Sequence, residues 1–66
     1  MNTKKVITTW RQRFFDAGIT QTHVAENTGV SLSTLNKIIG GVIPNPTVDT
    51  FDKIEGYLRV VEDAAS

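Results

Sequence analysis

Cysteine is absent from the 66 residues, and histidine occurs once, at His23. The first absence excludes disulfides and thiolate metal sites. The second leaves no imidazole cluster for a transition metal. No metal and no cofactor are therefore expected. No apolar run approaches the ~18 residues that a membrane span requires. Lys4 and Lys5 lead into Val6 and Ile7, but Trp10, Arg11, Gln12 and Arg13 follow too soon for a signal peptide. A cytoplasmic chain with no membrane partner is expected.

Net charge is also missing. Seven Lys and Arg balance seven Asp and Glu, which by itself argues against a nucleic-acid partner. The distribution says something different. Residues 1–37 carry five cations (Lys4, Lys5, Arg11, Arg13, Lys37) against Asp16 and Glu26, whereas residues 38–66 carry Lys53 and Arg59 against five acids. This polarity would suit a molecule with a basic face toward phosphate and an acidic face away from it; the plainer reading is ordinary scatter.

Catalytic patterns are wanting as well. There are no paired carboxylates beside an apolar pocket motif, no nucleophile–base pair and no glycine-rich phosphate loop. Gly40-Gly41 lacks a following Lys-Ser/Thr and reads as a helix stop. An enzyme is not expected, nor a small-molecule substrate. Sixty-six residues make one domain at most, and a domain this size buries only ~60% of its unfolded surface. With disulfides and metals excluded, a partner chain is the expected source of further burial.

What is present is helical. Strand-like alternation, internal repeats and low-complexity segments do not occur. Val6, Trp10, Phe14 and Ala17, with Ile7 beside them, form an apolar stripe on a helix from about Lys4 to Ala17, capped by Thr3 and stopped by Gly18. A second helix spans about Gln21–Asn27, with Thr20 as cap and Val24 and Ala25 inward. A third spans about Leu32–Ile39, capped by Ser31, with Leu35, Ile38 and Ile39 inward. Val42-Ile43-Pro44-Asn45-Pro46 is a loop because two prolines restrict it. A fourth helix follows Thr47 and runs to about Val61 on Phe51, Ile54, Leu58 and Val61, with fraying from Glu62 to Ser66 expected.

The informative stretch is Thr20 to Gly41, TQTHVAENTGVSLSTLNKIIGG. Two short helices joined by a tight turn must pack at a steep angle. A small residue in the first helix permits that approach (Ala25), and the turn needs positive φ (Gly29). An apolar plug follows the turn (Val30), and the second helix anchors through Leu35 and Ile38. In this register the stretch resembles the helix-turn-helix of the phage repressor and Cro family. The likeness runs through Gly18-Ile19-Thr20-Gln21, Val24-Ala25, Gly29-Val30-Ser31, Leu35, Ile38 and Gly41, then Pro46, Thr50-Phe51 and Ile54.

That resemblance implies an all-α, four- to five-helix, lambda-repressor-like domain over residues 1–66, with the motif at 20–41 and the last helix at about 48–61. It implies a sequence-specific transcriptional regulator, of phage repressor or Cro type, whose third helix enters the major groove of a double-stranded operator. Leu32, Ser33, Asn36 and Lys37 fall on base-reading positions. Gln21, Thr34 and the backbone at Gly40 through Val42 fall near phosphate. Separate chemistry fits these roles. Asn bonds adenine bidentately, Lys donates to guanine, Ser donates or accepts, and Leu packs on a thymine methyl. Two features depart from the family: relatives often carry a polar residue at the position of Leu32, and Lys or Arg in the loop where this chain has Val42-Ile43-Pro44-Asn45. Lys37 is the only Lys or Arg in the motif, so a shallow salt dependence is expected, with the amino-terminal cations as possible compensation.

Other residues have plainer readings. His23 reads as a surface or internally satisfied helix residue, the other reading being a phosphate contact. Trp10, Phe14, Phe15 and Phe51 read as core, with Phe15 the one expected to be exposed if any is. A homodimer is expected, built on part of the Ile54, Tyr57, Leu58, Val61 stripe together with Val42-Ile43. The competing function is a protein-interaction module of the same fold, an antitoxin or adaptor.

Overall fold

The computed structural model describes residues 3–65, and the side chains of residues 4–64. Four helices follow one another: α1 (Thr3–Ala17), α2 (Gln21–Thr28), α3 (Leu32–Ile39) and α4 (Val48–Ala65). No strand occurs among the described residues, and no helix there is long and apolar enough to cross a membrane.

The first helix ends for a local reason. The Gly18 N–H donates to the Phe15 carbonyl and the Ile19 N–H to the Phe14 carbonyl, both at 3.0 Å. This pairing satisfies the last carbonyls of α1 and folds Ile19 back beside Phe14. The fourth helix starts at Thr47, whose Oγ1 accepts from the Thr50 N–H at 3.2 Å, satisfying a donor that has no partner within the helix. Thr3 opens α1 rather than preceding it, and its side chain lies outside the described residues.

One contiguous core takes residues from every element: Ile7, Trp10 and Phe14 of α1, Val24 of α2, Val30 of the turn, Leu35 and Ile38 of α3, and Ile54 and Leu58 of α4. Burying each such side chain contributes ~1.5–3 kcal/mol, an upper range because unfolded chains already bury some surface. Contacts climb α1 and α4 in step. Trp10 stacks at a tilt on Phe51 with centroids 5.4 Å apart, and Arg13, one turn on, reaches Glu55 and Glu62. The two long helices therefore run side by side in the same direction, with α2 and α3 packed against them.

The structure adjusts several expectations. The α1 stripe centres on Ile7, with Val6 and Ala17 only half-buried. Phe15 is 80% exposed, because it lies about 100° around the helix from Phe14. The last helix does not fray at Glu62 but continues to Ala65. Glu62 is gripped by Arg13, so the final turns have a tertiary partner. Ile54 and Leu58 are consumed by the core of their own chain, with Tyr57 and Val61 half-buried. Most of the tail stripe is thus unavailable to a second molecule. In the loop, Ile43 packs on the core, while Val42 is 72% exposed.

Candidate nucleic-acid interface

The corner between α2 and α3 is built from side-chain and backbone caps. Thr20 Oγ1 accepts from the His23 N–H at 3.1 Å and starts α2. Gly29 ends it in the left-handed region, φ 79°, with its N–H on the Ala25 carbonyl at 3.0 Å. An L-residue held there would cost ~1–2 kcal/mol. Thr28 Oγ1 donates to the Val24 carbonyl at 2.7 Å and accepts the Val30 N–H at 3.3 Å, so one hydroxyl ties the end of α2 to the residue beyond the glycine. Val30 is buried as the plug between the helices. Ser31 Oγ then accepts from the Thr34 N–H at 3.2 Å and caps α3.

The third helix is strongly two-faced. Leu35 and Ile38 are buried and Ile39 is half-buried, while Leu32, Ser33, Asn36 and Lys37 are all exposed. These four, at i, i+1, i+4 and i+5, share one side of the helix. Leu32 is the least open of the named apolar surface residues, at 39%. Asn36 and Lys37 thus stand where their donors and acceptors are accessible. Thr34 is half-buried, and its Oγ1 accepts from Ser31 Oγ at 2.8 Å, which leaves the Thr34 proton to donate elsewhere.

Two positions expected near phosphate have less to offer. Gln21 is half-buried, and its Oε1 is sealed from solvent without a hydrogen-bond partner, an arrangement that costs ~1–3 kcal/mol. At the end of α3 the Gly40 N–H donates to the Asn36 carbonyl, the Gly41 N–H to Ile38 and the Val42 N–H to Lys37, at 2.8, 3.2 and 2.8 Å. Gly41 makes this closure possible with φ 84°. All three amides are spent within the chain, so Gly40 brings a bare, exposed backbone to the surface and no free N–H.

One of the amino-terminal cations does not face outward. Arg13, counted by sequence among the amino-terminal cations, is turned toward α4. Its Nη1 and Nη2 bond the two Glu55 oxygens at 2.7 and 3.1 Å, and its Nε and Nη2 bond Glu62 at 2.8 Å each. Glu55 also accepts from Trp10 Nε1 at 3.0 Å and from Arg59 Nε at 3.1 Å. Burial opposes ionisation of Glu55, but the hydrogen bonds from Arg13, Trp10 and Arg59 overturn that and hold the carboxyl down at about 2. Glu62 is held below its ordinary value by the same guanidinium, and Arg13 is raised by its bonds to Glu62 and Glu55. Arg13, Glu55 and Glu62 are therefore structural charges that clasp α1 to α4, and Lys37 remains the only Lys or Arg on α2 or α3.

Sequence reasoning did not find Glu55, and it placed Tyr57 in the apolar tail stripe without its His23 partner. The signal for Glu55 was the i, i+7 spacing of Glu55 and Glu62, which puts both on one side of α4, but the facing Arg13 becomes visible only once α1 and α4 are known to be neighbours. Tyr57 hydrogen-bonds His23 Nε2 through its hydroxyl, with ring centroids 5.8 Å apart. His23 is thus an exposed, internally satisfied residue that braces α2 against α4. Among the described residues no group of three His, Cys, Asp or Glu side chains is placed to hold a metal.

In comparison with known families, a family model described as helix-turn-helix matches the chain over residues 10–63. No curated protein and no solved structure matches the chain.

Proposed function

The chain belongs to the helix-turn-helix family of phage repressor and Cro type, a family of DNA-binding regulators, and on that premise we propose that it is a repressor occupying a two-fold operator as a homodimer. α3 lies in the major groove. Asn36 and Lys37 read base edges, Ser33 adds a hydrogen bond, and Leu32 packs against a thymine methyl. Gln21 and Thr34 bond flanking phosphates, while Gly40 lets the backbone run close to the strand without a hydrogen bond of its own. The protein acts by binding and not by catalysis, in the cytoplasm. The carrying observation is the exposed row Leu32, Ser33, Asn36 and Lys37 on a helix whose other side is locked into the core.

Two features favour a second reading, a protein-interaction module of the same fold: the single Lys in the motif and the exposed Val42 beside it. Anisotropy and footprinting on the DNA upstream of its own coding sequence separate the two. Asn36→Ala is expected to weaken specific binding by ~10-fold or more, since a bidentate base contact is worth ~1–3 kcal/mol. Lys37→Ala is expected to weaken binding as well. Both should melt like the parent, because neither side chain is buried. Unchanged affinity in both variants would remove the DNA reading and leave the protein-interaction one.

A further inference from the structure

α1 and α4 leave a groove of about 760 Å³ between them, floored by half-buried Val6 and Phe51 and edged on the α4 side by Asp52, Gly56 and Arg59. Gly56 is the odd residue. It lies in the middle of an 18-residue helix, where glycine is ~1 kcal/mol worse than alanine. Nothing in its own chain calls for it, because a Cβ built there would meet no atom within 4 Å. A glycine that its own fold does not need still permits one thing, the close approach of another backbone.

The charges beside it indicate whose backbone. Asp52 lies four residues before Gly56 and Arg59 three residues after, so the three share one stripe of α4. Asp52 and Arg59 are both exposed. If a second α4 lies antiparallel across this stripe on a two-fold axis, each Asp52 falls opposite the second copy's Arg59. The stripe is therefore complementary to itself, as an isologous contact requires. Arg59 donates its Nε to Glu55 and its charge also reaches Glu62, and the fork of its Nη nitrogens can take a further carboxylate.

We propose that a second copy of this chain docks on the α1–α4 groove, crossing α4 on α4 at Gly56 with reciprocal Asp52–Arg59 pairs. The inference rests on the homodimer reading above and gives it a face, different from the loop and tail stripe that the sequence suggested.

The test is sedimentation equilibrium of the full chain, free and with operator DNA, with circular dichroism to follow folding. Gly56→Gln meets open space in the monomer and improves helix propensity, so it should melt no lower than the parent in dilute solution, yet raise the dimer dissociation constant by at least ~10-fold. D52R and R59D should each fail to self-associate, and an equimolar mixture of the two should form a heterodimer, since both cross-pairs are then opposite in sign. A parent dimer that survives G56Q, with no recovery in the mixture, overturns this face while leaving the homodimer reading in place. A parent monomeric at all concentrations, with and without DNA, overturns both.

Discussion

Glu55→Gln should cost this small fold a large part of its stability. The side chain is 12% exposed and accepts from three groups, Trp10, Arg13 and Arg59. Its carboxyl is lowered from the usual 4.5 to about 2, and a shift of that size corresponds to about 3 kcal/mol of linked stability. The sign follows from the direction. A depressed carboxyl stabilises the fold fully above pH 4.5, and the contribution is lost as pH falls from there through about 2. The total stability expected for 66 residues is only ~3–10 kcal/mol. Glutamine keeps an oxygen for Trp10 Nε1 but removes the charge facing Arg13. Urea unfolding at pH 7 should therefore show E55Q less stable by about 2–4 kcal/mol, at and below the ~3–5 kcal/mol for breaking a fully buried pair, because this pair is only half-buried. Between pH 5 and 2 the parent should lose stability steeply and E55Q much less so, with only Glu62 and the other carboxylates left to titrate. If E55Q lies within ~0.5 kcal/mol of the parent at pH 7, with the same acid slope, the clasp contributes nothing and the reasoning fails.

Gly29→Ala should destabilise by ~1–2 kcal/mol although the added methyl meets nothing, because the loss comes from φ 79° and not from a clash; a melting midpoint unchanged from the parent would contradict this. Ser31→Ala removes the cap of α3 and should cost ~0.5–2 kcal/mol, with Ser31→Asp recovering most of it, measured by thermal melts at low salt.

The helices and their stops were legible because they are local. α3 was placed residue for residue, since Ser31 precedes it, two glycines follow it, and Leu35 and Ile38 share a face. The exposed row on α3 was equally readable from periodicity. The α1–α4 clasp was not, because it joins Trp10 and Arg13 to residues more than forty positions away. Nothing in the local pattern distinguishes an arginine aimed at DNA from one aimed at a neighbouring helix. Arg13 was accordingly counted with the phosphate-facing charges. The length of α4 was underestimated for the same reason, since Glu62 has a partner on α1. The apolar tail stripe was divided between core and interface because periodicity shows that Ile54 and Leu58 face inward without showing how much surface α1 and α2 bring to cover them.

The third helix has eight residues and is ~12 Å long. Along a duplex, with a base pair every ~3.4 Å, that reach covers roughly four base pairs. A four-letter word recurs by chance about once in 250 positions, which is little information against the ~10⁶ or more competing sites of a genome. A single reader of this length has too short a vocabulary to address one locus, however tightly it grips. Two readers held at a fixed spacing lift the odds to roughly one in 65,000, and any finer address must come from neighbouring sites or from the shape of the DNA between them.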